Sequence, residues 1–152
     1  MSILDRLFGK KKPSLEDDIH SACGWVVNAL NVSGYNADYS LKSMKEIDRF
    51  FDEQSDEGGI ISRNRGQIIF ALASYIGETV IRLYGGKWGG SDEINMSVEL
   101  SNGAIIFPTQ KAMKRYQNGS EDSIYAYVYV LGPHEASAES HTKCEAKGRS
   151  FI

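Results

Sequence analysis

Apolar residues recur at helical spacing in three successive stretches of the chain, and then the pattern changes to strict alternation. In the first stretch Ile19, Ala22, Cys23, Val26 and Leu30 form one stripe. Pro13 and Ser14 open it, Glu16 and Asp17 stand in the first turn where the helix dipole favours acids, and Gly34 after Ser33 is a stop, so a helix is expected to about Asn31. A second helix is expected from a cap at Ser40, with Leu41, Met44, Ile47, Phe50 and Phe51 turned inward until Gly58 and Gly59 break it. Its outer face reads Glu46, Asp48, Asp52 and Glu53. The third helix, about Arg63 to Tyr84, carries the broadest stripe, Ile68, Ile69, Leu72, Ile76, Val80 and Leu83, and should be central. Gly77 costs that helix stability, so another element is expected close to its backbone there.

From Ile94 the spacing becomes that of a strand: Ile94, Met96, Val98 and Leu100 alternate with Asn95, Ser97 and Glu99. Asn102 and Gly103 suit a two-residue type I′ turn, Ala104 to Phe107 return, and Pro108 ends the pairing. Such a hairpin is marginal alone, so its apolar face is expected against the helices. Thr109 caps a short helix that Gly119 stops, and Ser120 caps a further element. Residues 124–131 fit helix or strand, and the preceding caps favour helix. The expected fold is α+β: three N-terminal helices packed on a small antiparallel hairpin or sheet, then one or two short helices. Residues 1–13 read as an N-terminal segment, 14–131 as a single domain, and 132–152 as a flexible polar tail.

Composition supports one domain with a real core: the chain has 152 residues, 41% of them hydrophobic. No apolar run approaches a membrane span, and Met1 to Phe8 lack the features of a secretory signal, so a cytoplasmic location is expected. Two cysteines, Cys23 and Cys144, read as free thiols rather than a bridge. The net charge of -3 is unevenly spread, because residues 14–62 hold ten acidic side chains against only Lys42, Lys45 and Arg49. That field attracts a basic partner and repels nucleic acid.

Candidate chemistry is sparse. Ile3, Leu4, Leu7 and Phe8 followed by Lys10, Lys11 and Lys12 could touch an anionic membrane, but the face is short and a segment docked on the domain or frayed is the plainer account. His20 lies off its helix stripe and has no partner motif. Glu46, Asp48, Asp52, Glu53, Asp56 and Glu57 miss the offsets of a calcium loop and read as a solvated acidic face. Glycines around Trp88 follow a helix and precede a strand, the reverse of a phosphate loop, so Trp88 reads as a packing lid rather than a stacking residue for a ligand. His134, His141 and Cys144 fit no standard zinc spacing, so neither metal nor cofactor is expected. Lys111, Lys114, Arg115 and Tyr116 make a small basic patch, either solvated or suited to an anion. Glu78 and Arg82 stand as a surface ion pair at i,i+4. No nucleophile elbow or histidine pair is present.

Over residues 72–124 the apolar helix from Leu72 to Leu83, the Gly85, Gly86, Lys87, Trp88 turn, the hairpin, Phe107 and Pro108, Lys114 and Arg115, Asn118 and Gly119, and Glu121 and Asp122 together resemble an uncharacterised family of small bacterial domains. The resemblance implies a compact bacterial cytosolic domain and carries over no catalytic residue. The leading expectation is a non-catalytic protein-binding module, in its most concrete form a bacterial immunity or inhibitor protein. It would cover a basic, toxin-like partner with Glu46, Asp48, Asp52, Glu53, Asp56 and Glu57. An enzyme or small-molecule reading places a site near Tyr84, Trp88 and Glu78, with Lys111 and Arg115 as further ligand contacts. A peripheral membrane module rests on residues 1–12 alone.

Overall fold

The computed structural model describes residues 14–133. Helix α1 (Leu15–Val32) begins with a reciprocal cap: the Asp17 amide donates to Ser14 Oγ at 3.1 Å and the Ser14 amide donates to Asp17 Oδ2 at 3.0 Å. Those bonds, the Ser14 amide first, hold the Asp17 carboxyl below the ordinary range. Ile19, Cys23, Val26 and Leu30 are buried as their spacing requires.

Helix α2 (Ser43–Gln54) starts three residues later than its cap suggested. Ser40 still accepts the Ser43 amide at 3.0 Å, but residues 40–42 close a turn first. The central helix, expected from about Arg63, runs as α4 (Arg65–Tyr84); a separate single turn, α3 (Ile60–Arg63), precedes it across Asn64, whose φ of -146° and ψ of 53° leave the helical region. Leu83, expected in the buried stripe, is exposed, because the core stripe of α4 ends at Val80.

The sheet has one strand more than the pattern showed. Gly86–Gly89 forms β1, which pairs antiparallel with β2 (Ser97–Leu100), and β2 pairs with β3 (Ile105–Ile106). Glycine density suggested a loop there. It serves close pairing instead, since a Cβ on Gly86 would meet the Glu99 carbonyl oxygen. The expected strand from Ile94 begins only at Ser97. Asp92 Oδ1 accepts the amides of Ile94 at 3.0 Å and Asn95 at 2.8 Å, and this side-chain turn displaces the ladder.

The hairpin turn also differs from its expectation. The Gly103 amide donates to Leu100 O and the Leu100 amide to Ala104 O, which makes a three-residue loop, and only Gly103 has positive φ, +94°. It is a turn with a bulge at Gly103, not type I′.

Helix α5 (Pro108–Asn118) takes proline at its first turn, where no amide is lost, and Gly119 ends it. One 3-10 turn (Gly119–Asp122) leads to α6 (Ile124–Leu131). The cap of α6 is Ser123, whose hydroxyl accepts the Ala126 amide, and not Ser120. The architecture is α+β: α1 and α5 flank the buried α4, the sheet covers its C-terminal half, and α2 packs on α6. Among the described residues no helix is long and apolar enough to cross a membrane.

The close approach expected at Gly77 is made by Trp88. A Cβ there would overlap the indole ring, which lies across the α4 backbone and donates from Nε1 to Glu78 Oε1 at 3.3 Å.

Candidate binding groove

The acidic face of α2 and the turn after it is exposed at Asp52, Glu53, Asp56 and Glu57, as its periodicity suggested, but Glu46 and Asp48 are partly covered and several of its carboxylates are committed within the chain. Asp48 Oδ1 accepts from Arg115 Nε at 2.8 Å and from the Ile124 amide at 2.8 Å, while Oδ2 accepts from the Tyr125 amide at 2.9 Å and Ser123 Oγ at 3.0 Å. One carboxylate therefore pairs the buried arginine and caps α6. Asp52 Oδ1 takes Arg115 Nη2 at 2.7 Å. Glu46 accepts the Asn36 amide and pairs with Arg49, which keeps its carboxyl below the usual range. Glu53 accepts the Tyr35 hydroxyl and pairs with Arg49 as well. Of the six acids expected to face a partner, Asp56 and Glu57 are the ones whose carboxylates pair with nothing among the described residues.

The basic patch on α5 dissolves in the same way. The Arg115 side chain is 3% exposed and belongs to the interior. Lys111 pairs with Asp122 at 3.2 Å and sits over the Tyr127 ring. Tyr84 donates to Val128 O at 3.0 Å, far along α4 from Glu78. Glu78 and Trp88 do meet, with Arg82 Nε at 3.3 Å and His20 Nε2 at 4.0 Å, but the carboxylate is already shared by the indole and the guanidinium. Cys23 is buried beneath that cluster, and burial pushes its thiol up to about 12, so it stays protonated and unreactive at neutral pH. The readings made for residues 1–12 and for His134, His141 and Cys144 lie outside the described residues.

The open surface is elsewhere, along the N-terminal half of α4. Two depressions of about 330 and 580 Å³ share a floor of Gly66 and Phe70 and a rim at Glu93. On one side α1 supplies the wall through Asp18, Ala22 and Trp25. On the other α5 supplies it through Thr109, Met113 and Tyr116. Beyond Trp25 the apolar surface continues over Ile60 and Ile68. Trp25 is 53% exposed and Ile94 is 50% exposed, so both present apolar surface at the groove.

The rim is held firmly. The Asx turn of Asp92 shapes the loop, and Thr109 Oγ1 donates to the Glu93 carbonyl at 2.6 Å. These bonds fix Glu93 and Ile94 at the mouth while the carboxylate of Glu93 is left free. Asp18 across the groove is free too, and neither makes an ion pair among the described residues. Arg65 lines the first depression and stands 5.8 Å over the Tyr116 ring, and Arg63 lines the surface beyond Trp25.

Gly66 is the most telling position. A Cβ there would meet nothing within 4 Å, so no packing among the described residues demands glycine. Its effect is to lower the groove floor to helix backbone.

Ala22, Ile68, Ile94, Thr109 and Tyr116 were legible from sequence only as stripe, strand, cap or patch positions, and Asp18, Trp25, Gly66, Phe70 and Glu93 carried no assignment. Trp25 was the available signal, a large aromatic two residues past Cys23 and off the stripe of its helix. Phe70 gave the same sign on α4 and Glu93 none. No family model, curated protein or solved structure matches the chain.

Proposed function

We propose that the chain is a non-catalytic binding protein that seats a segment of another protein in the groove over Gly66 and Phe70. The observation that carries this reading is an open floor around Phe70 between held walls, with a helix glycine, Gly66, whose Cβ would meet no described atom. The volume is of the size that takes a ligand, but the trough is open and continues past Trp25, which suits an extended or helical segment better than an enclosed metabolite. Polar side chains share its lining, Asp18, Ser21, Arg65, Gln67 and Glu93 among them, but they include no nucleophile and base pair, so binding rather than turnover fits its chemistry. An immunity or inhibitor protein acting in the cytoplasm is one form such an activity takes, with the contact moved from α2 to the groove.

The test is selection of peptides from a random displayed library against the parent, followed by counter-screening on Phe70→Glu. Enriched sequences should lose binding by about tenfold or more on the variant, as expected for an interface anchored on a few apolar residues. Enrichment that is indifferent to Phe70 would contradict the reading.

A further inference from the structure

The groove carries information about its occupant as well as its existence. Its floor and rim offer Phe70, Gly66, Trp25 and Ile94 to an apolar side chain. Asp18 on α1 and Glu93 on the opposite loop border the depression they both line, and both carboxylates lack a partner among the described residues. On α2, Asp48 and Asp52 pair with Arg115, and Glu46 and Glu53 with Arg49, whereas no cation among the described residues lines the depression that Asp18 and Glu93 share; Arg65 lines the neighbouring one. A segment that closed the groove would strip water from Asp18 and Glu93, and an acidic or neutral segment would leave them uncompensated. We infer that the groove is specific for a protein segment bearing an apolar anchor flanked by lysine or arginine, with the anchor on Phe70 and Gly66 and the cations against Asp18 and Glu93.

The inference rests on the reading of the groove as a peptide site, and the experiment separates the two. Two short fluorescent synthetic peptides share a phenylalanine and a leucine as anchors and differ only in flanks of lysine or of glutamate. Their binding to the full chain is followed by anisotropy at low salt. The lysine peptide should bind about tenfold tighter, the sum of two modest charge contacts, and should lose that advantage as salt is raised. Asp18→Lys combined with Glu93→Lys should reverse the preference, and Phe70→Asp should weaken both peptides. Equal binding of the two peptides, or a preference unmoved by the double reversal, overturns the basic-flank assignment while leaving the groove as a peptide site. Failure of both peptides to bind at millimolar concentration overturns the groove reading itself. Should the double variant fold poorly, the salt dependence of the parent for the two peptides decides the same question.

Discussion

Two regions of this small domain treat polar groups and glycines in opposite ways. Where α2, α5 and α6 meet, everything is used: Asp48 satisfies Arg115 and three donors at the start of α6, and Asp52 takes what Arg115 has left. Gly77, on the buried side of α4, is equally committed, since Trp88 occupies the space a side chain would need. Over the N-terminal half of the same helix Ile68, Ile69 and Leu72 are buried, but the outer side leaves groups over. Gly66 faces open space, Asp18 and Glu93 pair with nothing among the described residues, and Trp25 and Ile94 stand half in water. The first region explains how the chain folds. The second has features that packing among the described residues does not account for, and that contrast is why binding is proposed there.

The sharpest way to break the contrast is to remove an acid from each region. Asp48→Asn should destabilise the protein by about 3–5 kcal/mol in urea unfolding, because it leaves the Arg115 charge buried with only Asp52 beside it. A loss below about 1 kcal/mol would mean the junction is as solvated as the groove. Gly77→Ala comes next, at about 1–3 kcal/mol, since the indole must shift to admit a methyl group. Shortening the ring in a Gly77→Ala, Trp88→Leu double variant should recover part of that loss.

The same substitution eleven residues earlier should have the opposite sign. Gly66→Ala is expected to raise stability by up to about 1 kcal/mol, because alanine suits a helix better and meets no atom. It should at the same time weaken peptide binding, a pairing of effects that a glycine kept for folding would not give. Glu93→Gln and Asp18→Asn should change stability by less than about 0.5 kcal/mol.

A smaller and kinetic effect is expected at Cys23, on the buried side of α1 behind Trp25. Its thiol is raised from 9.0 to about 12, so the neutral form is favoured in the fold. The stability this brings is complete below pH 9 and is lost as pH rises from 9 towards 12. Alkylation at pH 8 should therefore follow unfolding, and a thiol that reacts at the rate of a free cysteine under native conditions would show that α1 opens locally.

Much of the first region was legible in the sequence and little of the second. Helix stripes such as Ile19, Cys23, Val26 and Leu30 repeat at a period that has one physical solution, and the caution at Gly77 named a close approach before its partner was known. The failures share a cause. Asp48 and Arg115 look like surface residues from periodicity alone, because an outward position on α2 is buried by α6, an element 76 residues away in sequence from the acid it covers. Strand β1 was hidden because glycines signal a turn locally, and only the partner strand shows why side chains are excluded. The turn at Asn102 and Gly103 was placed correctly but given the wrong type, since loop length depends on the register of Leu100 with Ala104. The groove was invisible for a different reason: it consists of what α1, α4 and α5 leave uncovered, and a periodic pattern describes what is covered.

The central claim, that partner contact falls on the groove and not on the acidic helix, is tested most directly by mapping amide and indole shifts in isotope-labelled protein as the lysine-flanked peptide is added. The account predicts perturbations at Gly66, Phe70, Glu93 and the Trp25 indole, with Asp56, Glu57 and the Trp88 indole unmoved. Shifts gathered on residues 46–57, with the groove silent, would contradict it.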